Sequence, residues 1–174
     1  MVSKVMLVIA SSGFHPIEYS VPKRVLEHSG ITVITASDKA GTATAKDGTT
    51  AEVDITLADV TPEDYDAIFF IGGPGSLDHL DNAISYKLIQ QAAEAKKPFG
   101  AICASVRILA HAGVLKGKKV TGWNGDNGLG PILAEAHAVY TPKNVVVDKN
   151  IVTAVGPDAA QEFGAKILGV LGTK

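Results

Sequence analysis

Apolar residues fall along the chain in two kinds of run. Residues 4–10 (KVMLVIA), 31–36 (ITVITA) and 66–71 (DAIFFI) are nearly continuous, short, and rich in Val, Ile and Phe. That pattern predicts strands covered on both faces, as in a parallel sheet. Elsewhere the apolar positions are spaced. In 82–97 they are Ala83, Ile84, Leu88, Ile89, Ala92 and Ala93, a helical spacing. A helix is also predicted from Pro16 to about Ser29. Proline suits its first turn, and Glu18 lies where the helix dipole favours a carboxylate. The chain therefore opens strand–helix–strand, which calls for parallel pairing through a right-handed crossover.

The remaining stretches add detail. Residues 11–15 read as a loop. Residues 37–60 are less regular and carry Lys46-Asp47-Gly48-Thr49, a turn signal between short Thr/Ala/Val stretches, which predicts a hairpin. Residues 61–64 suit a single helical turn. A strand at 118–121 leads into the polar, glycine-bearing loop Gly122-Trp123-Asn124-Gly125. A short helix follows at 131–136. Residues 144–147 and 151–155 flank Asp148-Lys149-Asn150 as a hairpin, and Gly156-Pro157-Asp158 opens a last helix running to about Leu171. No repeat, linker or low-complexity tract interrupts this order. The expectation is a single α/β domain over residues 1–174, doubly wound, its parallel sheet sandwiched by helices, with a β-hairpin excursion.

Bulk composition narrows the function classes. A 46% hydrophobic and 20% charged chain with net charge −2 has an ordinary globular balance and no basic stripe for nucleic acid. The apolar run at 4–10 is too short to span a membrane and reads as a first buried strand. One cysteine excludes an internal disulfide and suits a reducing compartment, so a cytoplasmic protein is expected. No cluster has metal-ligand spacing, and no metal or cofactor is expected.

That cysteine lies in Pro98-Phe99-Gly100-Ala101-Ile102-Cys103-Ala104-Ser105-Val106, where a strand pattern gives way to a helix pattern. Small residues at Ala101 and Ser105 permit the sharp turn of a nucleophile elbow. An elbow aims the sulfur at the N-terminus of the next helix, which favours the reactive thiolate. A lone cysteine is otherwise a small buried hydrophobe. Loops leaving the carboxyl ends of parallel strands converge on a ligand site. Those loops carry His15 and Glu18, Gly72-Gly73-Pro74-Gly75, and Cys103 with Ala104, with Trp123 and Asn124 as a further wall. Glu18 is either a first-turn helix stabiliser or a carboxyl beside the sulfur, and burial there would raise its pKa. The glycine loop is either a turn or, through the amide of Gly75 with that of Ala104, an oxyanion hole, with Gly73 also placed at the binding site. His15 is the histidine candidate for a partner to Cys103. His28 reads as a dipole partner and His111 as a helix residue.

The elbow Ala101-Ile102-Cys103-Ala104, the glycine loop, Glu18 followed by Pro22, and the terminal pattern from Val145 through Gly156-Pro157 to Phe163 resemble the ThiJ/PfpI superfamily over nearly the whole chain. These are relatives of the class I glutamine amidotransferase domains. The resemblance implies a flavodoxin-like fold and a homodimer. It also implies a nucleophilic or redox-active Cys103, a protonated Glu18 bonded to it, and an anion pocket from the glycine-loop and Ala104 amides. Ala104 stands where peptidase-like branches carry a histidine, and the Gly156-Pro157-Asp158 region lacks the histidine of the amidotransferases. The Cys-Ala pair is instead similar to the parkinsonism-associated deglycase branch. The activity this implies is cofactor-free glyoxalase or deglycase chemistry on small aldehydes such as methylglyoxal. The alternatives are a redox sensor using an oxidisable Cys103, an amidase or peptidase, and a hydratase of an isocyanide-type substrate.

Overall fold

The computed structural model describes residues 3–172. Its centre is a seven-stranded sheet of β1 (Lys4–Ile9), β3 (Thr32–Ser37), β6 (Ile55–Thr56), β7 (Ala67–Phe70), β8 (Phe99–Ile102), β11 (Val145–Asp148) and β12 (Ile151–Ala154), in the order β11-β12-β8-β7-β1-β3-β6. All pairings are parallel except β11 with β12, the hairpin expected around Asp148-Lys149-Asn150. The runs 4–10 and 66–71 read as continuous because their residues are covered on both faces. From Val5 to Ala10 and from Phe69 to Ile71 exposure is nil.

On one side α1 (Pro16–His28) packs against α6 (Ala160–Leu171), where Gly164 lets Pro22 and Val25 approach. A second group contains α3 (Ala83–Glu94), α4 (Val106–His111) and α5 (Leu129–Glu135), with α4 packed against both of the others. The doubly wound α/β reading therefore holds. The chain winds from β1 outward through β3 to β6, then returns to β7 on the other side of β1. The switch point lies between β1 and β7, where such sheets bind ligands.

The hairpin excursion is β4 (Gly41–Ala45) paired antiparallel with β5 (Thr50–Val53) around the expected turn. It gains a third strand that the pattern did not suggest. Residues 11–15 are not simply a loop: β2 (Ser12–Phe14) runs parallel to β4. Three residues cannot show a period, so only the tertiary partner makes them a strand. The short helix α2 (Ser76–Leu80) was likewise not legible. Helix α5 begins two residues before the expected 131, because the Asn124 side chain accepts the Leu129 N–H at 2.9 Å. The strand at 118–121 shortens to β9 (Lys119–Val120), paired with β10 (Val139–Tyr140). Among the described residues no helix is long and apolar enough to cross a membrane.

Candidate active site

Three loops meet at the switch point. The segment after β1 lies against the segment after β7: the His15 N–H donates to the Gly72 carbonyl at 2.8 Å, and the Gly75 N–H donates to the Gly13 carbonyl at 3.0 Å. Beside them the chain leaves β8 at Cys103, which has a left-handed φ of +62°. A non-glycine residue in that region is strained, and such strain collects where a side chain must be presented at a fixed angle. Ala101 and Ser105 are fully buried, as the elbow expectation requires, and the Ser105 hydroxyl donates to the Ile71 carbonyl at 2.7 Å. Residues 103–105 form a single tight turn before α4 begins.

Glu18 enters from the first turn of α1 and is fully buried. Its carboxyl faces the Cys103 thiol and the Gly72 backbone closely enough to interact with both. Neither oxygen, however, has a partner at ordinary hydrogen-bond geometry. Gly72 makes this approach possible. A Cβ there would sit 2.5 Å from Glu18 Oε2 and 2.6 Å from Cys103 Cβ, so acid and nucleophile pack across a missing side chain. Gly73, at φ +125°, is similarly compressed against the Gly13 carbonyl and the His15 amide.

Burial, more than any neighbour, pushes the Glu18 carboxyl up to about 7. Burial, and then the negative charge of Glu18, pushes the Cys103 thiol up to about 12. The N–H groups of Ala104 and Gly73 point at the sulfur and pull the other way. This corrects the expectation that the helix N-terminus favours the thiolate at Cys103. Helix α4 starts only at Val106, and desolvation is the largest influence on the thiol. The two rises have one physical origin: the pocket holds one negative charge readily and two only at great cost. Both shifts therefore favour a pair that carries one proton rather than none. Moving that proton to Glu18 creates the thiolate without changing the net charge.

The anion pocket also needs correction. Gly75 N–H is committed to Gly13, and a Cβ at Gly75 would strike the Ser12 carbonyl at 1.9 Å, so Gly75 shapes the loop. The donors at the sulfur are Gly73 and Ala104. His15 caps α1, its Nδ1 accepting the Ile17 N–H at 3.3 Å. Burial and Lys46 lower its pKa, with Asp47 opposing. The groups acting on the thiol are Glu18, Ala104 and Gly73, and His15 is not among them. Asn124 spends its side-chain oxygen on α5. Trp123 does reach the elbow, but through its backbone: its N–H donates to the Cys103 carbonyl at 3.3 Å, and the residue as a whole is 40% exposed.

Two functional positions escaped the sequence reading. Gly72 reads in the sequence as one glycine of its loop, and only the fold makes it the spacer between acid and thiol. Arg107, four residues after Cys103, is only 8% exposed, and its position inside the apolar run Val-Arg-Ile-Leu-Ala was the available signal.

A family model described as DJ-1/PfpI matches residues 3–169. The chain belongs to the DJ-1/PfpI family. An uncharacterised protein of Methanocaldococcus jannaschii is 38% identical over 95% of this chain and 81% of its own length. A Bacillus subtilis relative named as a candidate cysteine protease is 33% identical over 97% of this chain and 99% of its own. Among solved structures, a ThiJ/PfpI domain protein from Brachyspira murdochii superposes with TM-score 0.93 at 28% identity, covering 99% of this chain and 98% of that one. Drosophila melanogaster DJ-1beta gives 0.89 at 27%, covering 100% and 92%. The DJ-1/PfpI fold thus accounts for the doubly wound sheet flanked by helices.

Proposed function

We propose that this DJ-1/PfpI protein is a cysteine-dependent glyoxalase or deglycase-type enzyme acting on small α-oxo aldehydes such as methylglyoxal. The observation that carries the reading is the contact between Cys103 and the buried Glu18, whose carboxyl burial pushes up, with two amide donors on the same sulfur. The reaction needs those groups in sequence. As sulfur attacks the aldehyde carbon, the thiol proton passes to Glu18, and the new oxyanion is held by the Gly73 and Ala104 N–H groups. Glu18 returns the proton to that oxygen, giving a neutral hemithioacetal. Its carboxylate then takes the proton from the former aldehyde carbon, the hydroxyl proton on that carbon moves to the neighbouring carbonyl oxygen, and Glu18 delivers its proton to the adjacent carbon, converting the hemithioacetal to a thioester. Water cleaves the thioester, releasing lactate and restoring the thiol. In this scheme Gly75 and His15 hold the loop and the helix, and the exposed Trp123 borders the entrance.

A redox role uses the same atoms, since Glu18 and the two amides could equally hold the oxygens of an oxidised sulfur. A Toxoplasma gondii DJ-1, 26% identical, has been solved in a form described as oxidized. Peptidase chemistry is disfavoured by the absence of a histidine among the groups acting on the thiol.

The test is lactate formation from methylglyoxal followed by proton NMR, with Cys103→Ser alongside. Lactate from the wild type and not from the variant supports the enzyme. No lactate above the buffer rate removes it and leaves the oxidation state of Cys103 as the quantity to measure.

A further inference from the structure

The peptide between Cys103 and Ala104 has two ends with different duties. Its N–H points at the sulfur. Its carbonyl, on the opposite side of a trans peptide, accepts the N–H of Trp123 at 3.3 Å as well as that of Val106. Holding the carbonyl therefore aims the N–H. The Val106 donor belongs to the elbow itself, whereas Trp123 comes from the separate loop 122–128.

That loop is gripped by one side chain. Arg107 donates from Nη2 to Asp126 Oδ1 at 2.6 Å, and its guanidinium lies 5.5 Å from the Trp123 ring centre. Asp126 also accepts the Gly128 N–H at 2.9 Å. A Cβ at Gly128 would meet both terminal guanidinium nitrogens at 3.3 Å, so the backbone closes directly over the charge. The Arg107 Nε is buried without a partner. A buried cation with an orphaned donor is costly, and apolar residues would fill α4 more cheaply.

We propose that Arg107 is a positioning residue: by pinning Trp123 and Asp126 it holds the 122–128 loop on the Cys103 carbonyl and so aims the Ala104 N–H at the sulfur. The inference is independent of which reaction the site performs, and lactate formation does not enter its test. The charged groups acting on the Cys103–Glu18 pair itself are those two residues, with Lys46, from the turn after β4, acting on Glu18.

The chain has one tryptophan and one cysteine, so each can be read without labels. Acrylamide quenching of Trp123 fluorescence reports the loop, and the rate of Cys103 alkylation by iodoacetamide at fixed pH, expressed as the equivalent shift of its pH midpoint, reports the donor. Arg107→Met is expected to raise quenching and to move the alkylation midpoint up by about one pH unit, roughly a tenfold loss of rate at fixed pH. Arg107→Lys keeps the charge but loses the planar fork, and most of the upward shift should remain. Asp126→Asn is decisive and lies at an exposed site that leaves the core intact. Positioning predicts an upward shift, whereas loss of a negative charge acting through space would move the midpoint down. A downward or absent shift in Asp126→Asn overturns the proposal, as does a wild-type midpoint in Arg107→Lys. If Arg107→Met does not fold, the other two variants decide.

Discussion

The two ends of the central sheet treat buried polar groups in opposite ways. At the amino end, Met6, Tyr65, Ala67, Leu88 and Ala92 line an apolar cavity of about 110 Å³ together with Lys97. The Lys97 ammonium is satisfied there, donating to the carbonyls of Pro62 at 2.7 Å and Tyr65 at 2.6 Å. At the carboxyl end there is a strained cysteine, a buried carboxyl whose oxygens lack regular partners, and glycines pressed against backbone. Folding settles polar groups where nothing else is asked of them, and leaves costs standing where chemistry needs a group ready to change charge.

The sharpest way to break this contrast is to fill the gap between acid and thiol. Gly72→Ala should abolish Cys103-dependent turnover and cost about 1–3 kcal/mol, the range for overpacking, measured by denaturant unfolding. A Gly72→Ala protein with normal alkylation kinetics and turnover would show that the contact is incidental.

Glu18→Gln should lower turnover at least ~100-fold, the low end of general acid–base contributions, while stabilising the fold at pH 8. The sign follows from a carboxyl raised from 4.5 to about 7. Its contribution to stability is fully present below 4.5 and is lost as pH rises through 7. The loss amounts to roughly 3 kcal/mol at most, because each unit is worth about 1.4 kcal/mol. Turnover should run the other way in the wild type, rising with pH through about 7 as the pair gives up its first proton. Glu18→Gln should flatten both profiles, and melting and kcat/KM measured from pH 5 to 9 check this.

At the amino end, Leu88→Ala should cost about 2–4 kcal/mol by enlarging the apolar cavity, yet leave turnover intact well below its melting temperature. Loss of turnover without unfolding would mean that the two ends communicate. The smallest effect is expected for His15→Asn, since asparagine can also cap α1. Turnover should fall by less than about tenfold, and a drop of the ~100-fold size typical of a lost acid or base would place the imidazole in the proton path.

Much of this site could be read before any coordinates. The elbow was legible because Cys103 is flanked by an apolar strand run and small residues at 101 and 105, a local demand of a sharp turn. Glu18 was legible as a first-turn carboxylate, but its burial was not, because burial depends on Gly72 and Cys103 arriving from 54 and 85 residues away. The choice of Gly75 over Gly73 as anion donor failed for a related reason. Both are glycine amides in one loop, and only the partnering of Gly75 with Gly13 distinguishes them. Asn124 looked like a substrate contact because it is polar, and it proved to be a helix cap.

The sequence by itself determined the periods: which runs are double-faced strands, which are helices, and hence a parallel sheet with a switch point and a cysteine at a strand–helix turn. These follow from local sterics and from the burial of apolar residues, which neighbouring positions encode. Only the tertiary structure decided the electrostatics. That the thiol is pushed up rather than down, that the acid beside it is pushed up as well, and that Arg107 lies beneath the loop bonded to the elbow all depend on desolvation and on distances of a few ångströms between distant segments. Such terms vary too steeply with separation to be carried by residue type and spacing.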